Sequence, residues 1–241
     1  MFLYHYTKLD SFRKIWKSKK LLFSQQTNTN DIFERRKFIV GDLQQSSTTY
    51  GDVNCLVSQI FNEIKSYKQV SLCKDYPDGT KGYASPMMWG QYARSKENDI
   101  WIDGVCIELD SSRIAIPSGN YFDGEVWYSK EIDNIHLNGF DFKQDNSIEK
   151  FVKYNKDVLF FSKHKHWKYE SEYRIVSKHD DTIDISNAIT GVHVLDMESE
   201  TFNEVSKLVK APSLIYFILK GGSLWGLSRY NYGKYLSFQD K

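Results

Sequence analysis

The sequence predicts an α+β fold in one domain: a mixed sheet with flanking helices. Helical and strand patterns follow one another without a regular strand–helix repeat, and the second half is the richer in strands. The 241 residues give ample chain for a core, with only 4 Pro and an aromatic content of 15%. That composition belongs to an ordered body and not to a linker-rich chain. No internal repeat, low-complexity tract or composition break marks a second domain, so residues 1–241 are read as one unit.

Residues 2–6 read as an opening strand. Thr7 and Asp10 have the spacing of a capping box, and Leu9, Phe12, Ile15 and Trp16 recur at helical spacing behind it. Residues 21–24 read as a strand, 25–30 as a loop, 31–40 as a short helix and 41–52 as a polar loop. Leu56, Ile60 and Ile64 mark an amphipathic helix, and residues 70–73 a strand. Asp, Pro and Gly make 74–85 a loop, and Pro86 opens a helix through Trp89 and Tyr92. Strands are expected at 104–109 and 124–128, with a longer helix around Phe151, Val152, Val158 and Leu159. Residues 167–176, 183–185 and 188–195 read as strands. A second capping box, Thr201 with Glu204, precedes a helix ending near Lys210. A strand over 214–220 stops at Gly221-Gly222.

The formal charge of +1 gives no call for nucleic acid or an anionic membrane. Cys55, Cys73 and Cys106 are odd in number and widely spaced, which fits a reducing compartment and no disulfide framework. The opening Met-Phe-Leu-Tyr-His-Tyr has no basic leader or long apolar run, so a cytoplasmic protein without a membrane partner is expected. There is no GxGxxG, GxxxxGK[ST] or GxSxG motif. His164 and His166 lack a third ligand at recognisable spacing, so no metal is expected.

The most informative stretch is residues 167–176, Trp-Lys-Tyr-Glu-Ser-Glu-Tyr-Arg-Ile-Val. As a strand it puts Tyr169, Tyr173 and Ile175 on one face and Glu170, Glu172 and Arg174 on the other. Paired carboxylates raise each other's pKa, while a guanidinium beside them holds one ionised. Such a group suits a developing positive charge or a sugar hydroxyl; the plain alternative is a solvated strand face with an ordinary ion pair. His5 on the first strand offers a donor to a ribose or phosphate, or is a satisfied core histidine. Asn30 or Asp31 caps a helix, and that helix start either borders a ligand cleft or is capping alone. Trp89 and Tyr92 share a helical face and either stack on a flat ring or fill the core.

In order along the chain, Leu3 to Thr7, Asn30 to Glu34, Ser71-Leu72, Met88 to Tyr92, Gly104 to Ile107 and Trp167 to Arg174 resemble a family of bacterial proteins of unknown function. Two departures are Ile32, where that family usually has proline, and the charged Glu108 after Gly104. The same layout is similar to the ADP-ribosyltransferase superfamily, with an early strand histidine, a middle Ser/Tyr element and a late Glu-x-Glu strand. That resemblance implies a split mixed sheet binding NAD between two small sheets. His5, with Tyr6 and Thr7 beside it, would hold a ribose. Tyr92 and Trp89 would stack on nicotinamide, and Ser71 and Arg174 would support the site. Glu172 would be the catalytic carboxylate and Glu170 its neighbour that orients the acceptor.

The expected function is therefore an NAD-consuming enzyme that cleaves the nicotinamide–ribose bond, of the kind met in toxins and phage-defence effectors. NAD is its substrate, and protein, nucleic acid or water its acceptor; with water it is a plain NAD glycohydrolase. A competing expectation is a non-catalytic module binding a ligand or single-stranded nucleic acid in the same cleft, through the aromatics and the Lys163, His164, Lys165, Lys168 cluster.

Overall fold

The computed structural model describes residues 1–26, 39–40, 50–116, 121–131, 135–137, 140–142, 144–220 and 227–239. Among these, nine strands form one sheet: β1 (Phe2–Thr7), β2 (Ser24–Gln25), β3 (Lys68–Lys74), β4 (Val105–Asp110), β5 (Tyr121–Glu125), β6 (Glu172–Ser177), β7 (Ile189–Val194), β8 (Ile215–Lys220) and β9 (Leu227–Asn231). Their order is β9-β8-β7-β4-β1-β3-β6-β5, with β2 added to β3. The β7–β8 pair is parallel and the rest are antiparallel, which makes the sheet mixed and the fold α+β. The helices are α1 (Leu9–Ser18), α2 (Tyr50–Ser66), α3 (Pro86–Tyr92), α4 (Ser147–Tyr154), α5 (Lys156–Phe160), α6 (Glu200–Val209) and α7 (Tyr232–Gln239).

Strand alternation sorts the core. Leu3, Leu72, Ile107, Ile175 and Val192 bury on one face against Phe12 of α1 and Phe202 and Val205 of α6. On the opposite face Tyr4, Tyr6, Cys73 and Cys106 pack against Met88 and Trp89 of α3. Further along that face, Val176 packs with Ile60 and Ile64 of α2, Phe151 of α4 and Phe160 of α5. Between these last two clusters stand Glu172 and Arg174, so the apolar face is interrupted by a charged seam.

The central strands do not stay together. β1 pairs with β4 along its whole length, to Thr7↔Val105. It pairs with β3 only at Leu3↔Lys74 and Tyr4↔Cys73. β6 covers one edge of β3 from Lys68 to Cys73. On the other edge β2 takes over at Ser24↔Gln69 and Gln25↔Lys68. From His5 onward β1 therefore parts from β3, and residues 70–72 face the opening.

Several expectations change. Residues 165–170 are a 3₁₀ turn and not a strand; Ser171 takes a left-handed φ of 42° and β6 begins at Glu172. The first capping box is absent: Thr7 closes β1, Lys8 is the N-cap with no side-chain bond, and Asp10 pairs with Arg13. The cap of α6 is Ser199, whose Oγ accepts from Phe202 N at 3.1 Å, while Glu204 pairs with Arg13. The expected strand at 21–24 is two pieces, Lys20–Leu22 against Thr182–Asp184 and Ser24–Gln25 against β3. Ile39–Val40 is a short strand against Ile135–His136; the rest of the helix expected at 31–40, the cap at Asn30 or Asp31, Ile32 and Gly221-Gly222 lie outside the described residues. Arg94–Glu97 and Ile100–Asp103 form a further antiparallel hairpin.

Gly104 fixes the far end of β1. A Cβ there would stand 2.1 Å from the Thr7 carbonyl oxygen and 2.9 Å from Lys8 Cα, both backbone atoms that cannot yield without moving the strand. Gly104→Ala is expected to cost about 1–3 kcal/mol in urea unfolding, the usual range for forced overpacking. An unchanged midpoint would contradict this packing.

Candidate functional site

A cavity of about 420 Å³ opens where β1 leaves β3. One end is lined by Tyr92, Lys163, Glu170 and Glu172, the middle by His5 and Ser71, and the other end by Ser24, Gln25 and Gln69, with Lys8 also on the wall.

The charged end follows from the sequence period. Glu172 and Arg174 are two apart on β6, so they point the same way. Arg174 Nε donates to Glu172 Oε1 at 2.6 Å and its Nη2 to Oε2 at 2.8 Å, while Nη1 donates to the Phe160 carbonyl at 2.7 Å. This two-toothed pairing is the strong geometry for guanidinium and carboxylate. Glu170 arrives by another route, the 3₁₀ turn and left-handed Ser171, and ends beside Glu172. Lys163 Nζ bonds Glu170 and stands 3.4 Å from Glu172 Oε2; the Tyr92 hydroxyl donates to the other Glu170 oxygen. Glu172 is 4% exposed, Glu170 3% and Arg174 1%. The solvated strand face does not occur.

Environment separates the two carboxyls. Burial works to raise both. At Glu172 the charges of Arg174 and Lys163, and hydrogen bonds from Arg174 and the Ser71 side chain, overcome it and hold the pKa at about 2. At Glu170 burial wins; Lys163 opposes it, the Glu172 charge adds to it, and the pKa is raised. One carboxylate is a fixed anion and its neighbour holds its proton more readily. The Tyr128 hydroxyl accepts from Glu172 N at 2.9 Å and ties β6 to the strand Trp127–Ser129.

His5 reaches across the opening. Burial lowers its pKa to about 4, and a hydrogen bond to the Ser71 backbone pulls the other way. It is neutral near pH 7 and retains surface toward the cavity. The structure thus brings together His5, Ser71, Tyr92, Glu170, Glu172 and Arg174. Tyr6 touches the cavity, but its hydroxyl is committed to the Gly82 carbonyl at 2.5 Å. Trp89 does not line it: the ring packs edge-on against Tyr6 at 5.3 Å and its Nε1 donates to the Tyr83 carbonyl at 2.8 Å, which makes it core. Thr7 is buried and is not among the lining residues.

Residues 88–175 match the family model described as "Protein of unknown function (DUF2971)". The matched stretch carries α3 from Met88 onward and the charged seam and leaves out β1 and β3. No curated protein and no solved structure matches the chain.

Gln25 and Gln69 line the cavity with no sequence signal, and Lys163, expected in the cleft only as part of a nucleic-acid-binding basic cluster, meets the two carboxylates there. Polar residues on short strands look solvated until the partner strands are known. Lys163 is buried in the seam, so of the basic cluster only Lys165 and Lys168 are exposed lysines. His164 and His166 pack ring to ring at 4.5 Å, and among the described residues no group of three or more His, Cys, Asp or Glu could hold a metal. No described helix is long and apolar enough to cross a membrane. Glu108 has its own partners: Arg229 at 2.5 Å and His193 at 3.3 Å, with Tyr83 stacked on the His193 ring at 4.6 Å.

The depressed Glu172 pKa fixes a pH dependence. A carboxyl at about 2 when folded and 4.5 ordinarily adds stability above pH 4.5 that is lost as the pH falls toward 2. The stability gap between wild type and Glu172→Gln in urea is expected to be constant from pH 7 to 5 and to shrink below 4.5. A gap that widens with acid would contradict the assignment.

Proposed function

We propose that this chain is an NAD-consuming enzyme of the ADP-ribosyltransferase type. The observation that carries the reading is the convergence of His5, Ser71, Tyr92, Glu170 and Glu172 on one cavity at the parting of two central strands. An early strand histidine and a late Glu-x-Glu are what the resemblance implies; where it implies two small sheets, the described strands form one nine-stranded sheet that parts between β1 and β3. The fixed anion at Glu172 is the group such a reaction needs.

The nicotinamide–ribose bond breaks with its electron pair leaving on the pyridine nitrogen, so the leaving group becomes neutral and needs no acid. The remaining ribosyl centre is oxocarbenium-like, as in glycoside hydrolysis. Glu172 stabilises it by charge and by accepting from the ribose 2′-hydroxyl, which takes the place of the long 3.4 Å contact with Lys163. An acceptor hydroxyl, or water, then adds to the anomeric carbon and gives its proton to Glu170, whose raised pKa suits that role. Tyr92 and Lys163 hold Glu170 in place; Tyr92, which lines the cavity, also offers its ring to nicotinamide.

The competing module reading is weakened by the burial of Lys163 against both carboxylates.

Nicotinamide release from NAD by wild type, Glu172→Gln and Glu170→Gln tests the proposal, with and without cell lysate. Release is expected from wild type and a fall of at least ~100-fold, the scale of one lost electrostatic stabiliser, in Glu172→Gln. Both variants must first show native circular dichroism, because opening a buried ion pair costs about 3–5 kcal/mol. Undiminished release by both folded variants, or none from wild type under either condition, sinks the reading.

A further inference from the structure

The end of the cavity away from the carboxylates is built for an amide-type partner. Gln69 on β3 faces Ser24 directly across the β2–β3 pair, and both line the cavity with Gln25. Gln69 is 4% exposed, yet among the described residues its Oε1 has no hydrogen-bond partner. Among the described residues its Nε2 donates to the Ser71 Oγ alone, at a long 3.5 Å. A buried carbonyl left unpaired costs about 1–3 kcal/mol, so a protein that keeps one against a cavity has reason to satisfy it with a ligand. The terminal torsion of glutamine is soft, and the carboxamide turns toward a ligand at little cost.

We infer that Gln69 reads the edge of a purine base and selects a 6-amino purine over a 6-oxo purine. This rests on the NAD reading for the identity of the ligand. A carboxamide pairs with adenine in two bonds, accepting from the N6 amine and donating to N7. The 6-oxo base of inosine presents an acceptor where adenine presents that donor, so it faces Oε1 with repulsion. Leu22 and Val70 also line the cavity and add apolar surface to it. Position suits the rest of a dinucleotide: Glu172 sits opposite Cys73, four residues along β3 from Gln69. That is roughly 13 Å at about 3.3 Å per strand residue. A base held at Gln69 and a scissile bond at Glu172 are thus separated by more than one nucleoside, with Ser71 and His5 between them and Lys8 on the wall for a bridging diphosphate.

The test is calorimetric binding of AMP and IMP to wild type, Gln69→Met and Gln69→Glu, beside NAD turnover by the same samples. Wild type is expected to bind AMP roughly ten-fold or more tighter than IMP, the scale of one good bidentate contact. Gln69→Met brings the ratio near one and, having lost an unpaired buried acceptor, unfolds no earlier than wild type without ligand. Gln69→Glu keeps the acceptor for the N6 amine but not the donor for N7, and retains part of the preference; it serves should the methionine variant misfold. AMP preference that depends on Gln69 without NAD cleavage supports the base site and overturns the reaction. NAD cleavage with equal AMP and IMP binding, or with a preference that survives Gln69→Met, overturns the base site and leaves the reaction standing. No binding of either nucleotide together with no cleavage overturns both.

Discussion

The bidentate pairing of Glu172 with Arg174 is the contact on which the middle of the molecule depends. It lies between two apolar clusters on one face of the sheet, where water cannot screen it. A carboxylate there is tolerable only because a guanidinium answers it atom for atom, with Lys163 and Ser71 adding further donors. That arrangement is costly as architecture, since apolar residues of similar size would fill the seam as well or better. A protein that carries four buried charges beside a cavity has placed its electrostatics where chemistry could use them. The unlike environments of Glu170 and Glu172, one held ionised and one pushed up by burial, are of the kind found where carboxylates take different chemical roles.

The second constraint is topological. A fully paired β1–β3 ladder would close the opening. The short strand Ser24–Gln25 takes the edge that β1 gives up, so β3 keeps partners at both ends while residues 70–72 border the cavity. His5 bonds the Ser71 backbone across the space and supplies part of what the missing ladder would have given. The packing of Gly104 under Thr7 holds the departing end of β1 against β4. Sheet and site are thus one design: the same departure from regular pairing that costs ladder bonds creates the concave surface.

What the sequence makes legible follows from local period. Glu172 and Arg174 share a face because strand alternation requires it, and α3 begins at Pro86 with Ser85 as its cap. Glu170 reaches the same place by a route alternation cannot foresee, through a turn closed by a left-handed serine. Trp89 and Tyr92 share helical spacing, yet one fills the core and the other meets Glu170, because the helix sits at the border of core and cavity. The parting of β1 from β3 is a long-range event between residues far apart in sequence and has no local signal. The burial of Gln69 and Lys163 has no local signal for the same reason: only pairing partners reveal that a polar strand residue is buried. The two capping boxes misled because Thr7 and Thr201 have the right spacing but their neighbours Lys8 and Ser199 occupy the cap positions.

The central claim is that a dinucleotide lies in the gap with its scissile bond at the paired carboxylates. The most direct measurement is a crystal structure of the wild-type protein with an uncleavable carbocyclic analogue of NAD. The account predicts density in the cavity between β1 and β3, with the ribose 2′-hydroxyl within hydrogen-bond distance of Glu172 and the pyridine ring beside Tyr92. Density elsewhere on the molecule, or an analogue in the cavity with its ribose remote from both Glu170 and Glu172, would contradict it.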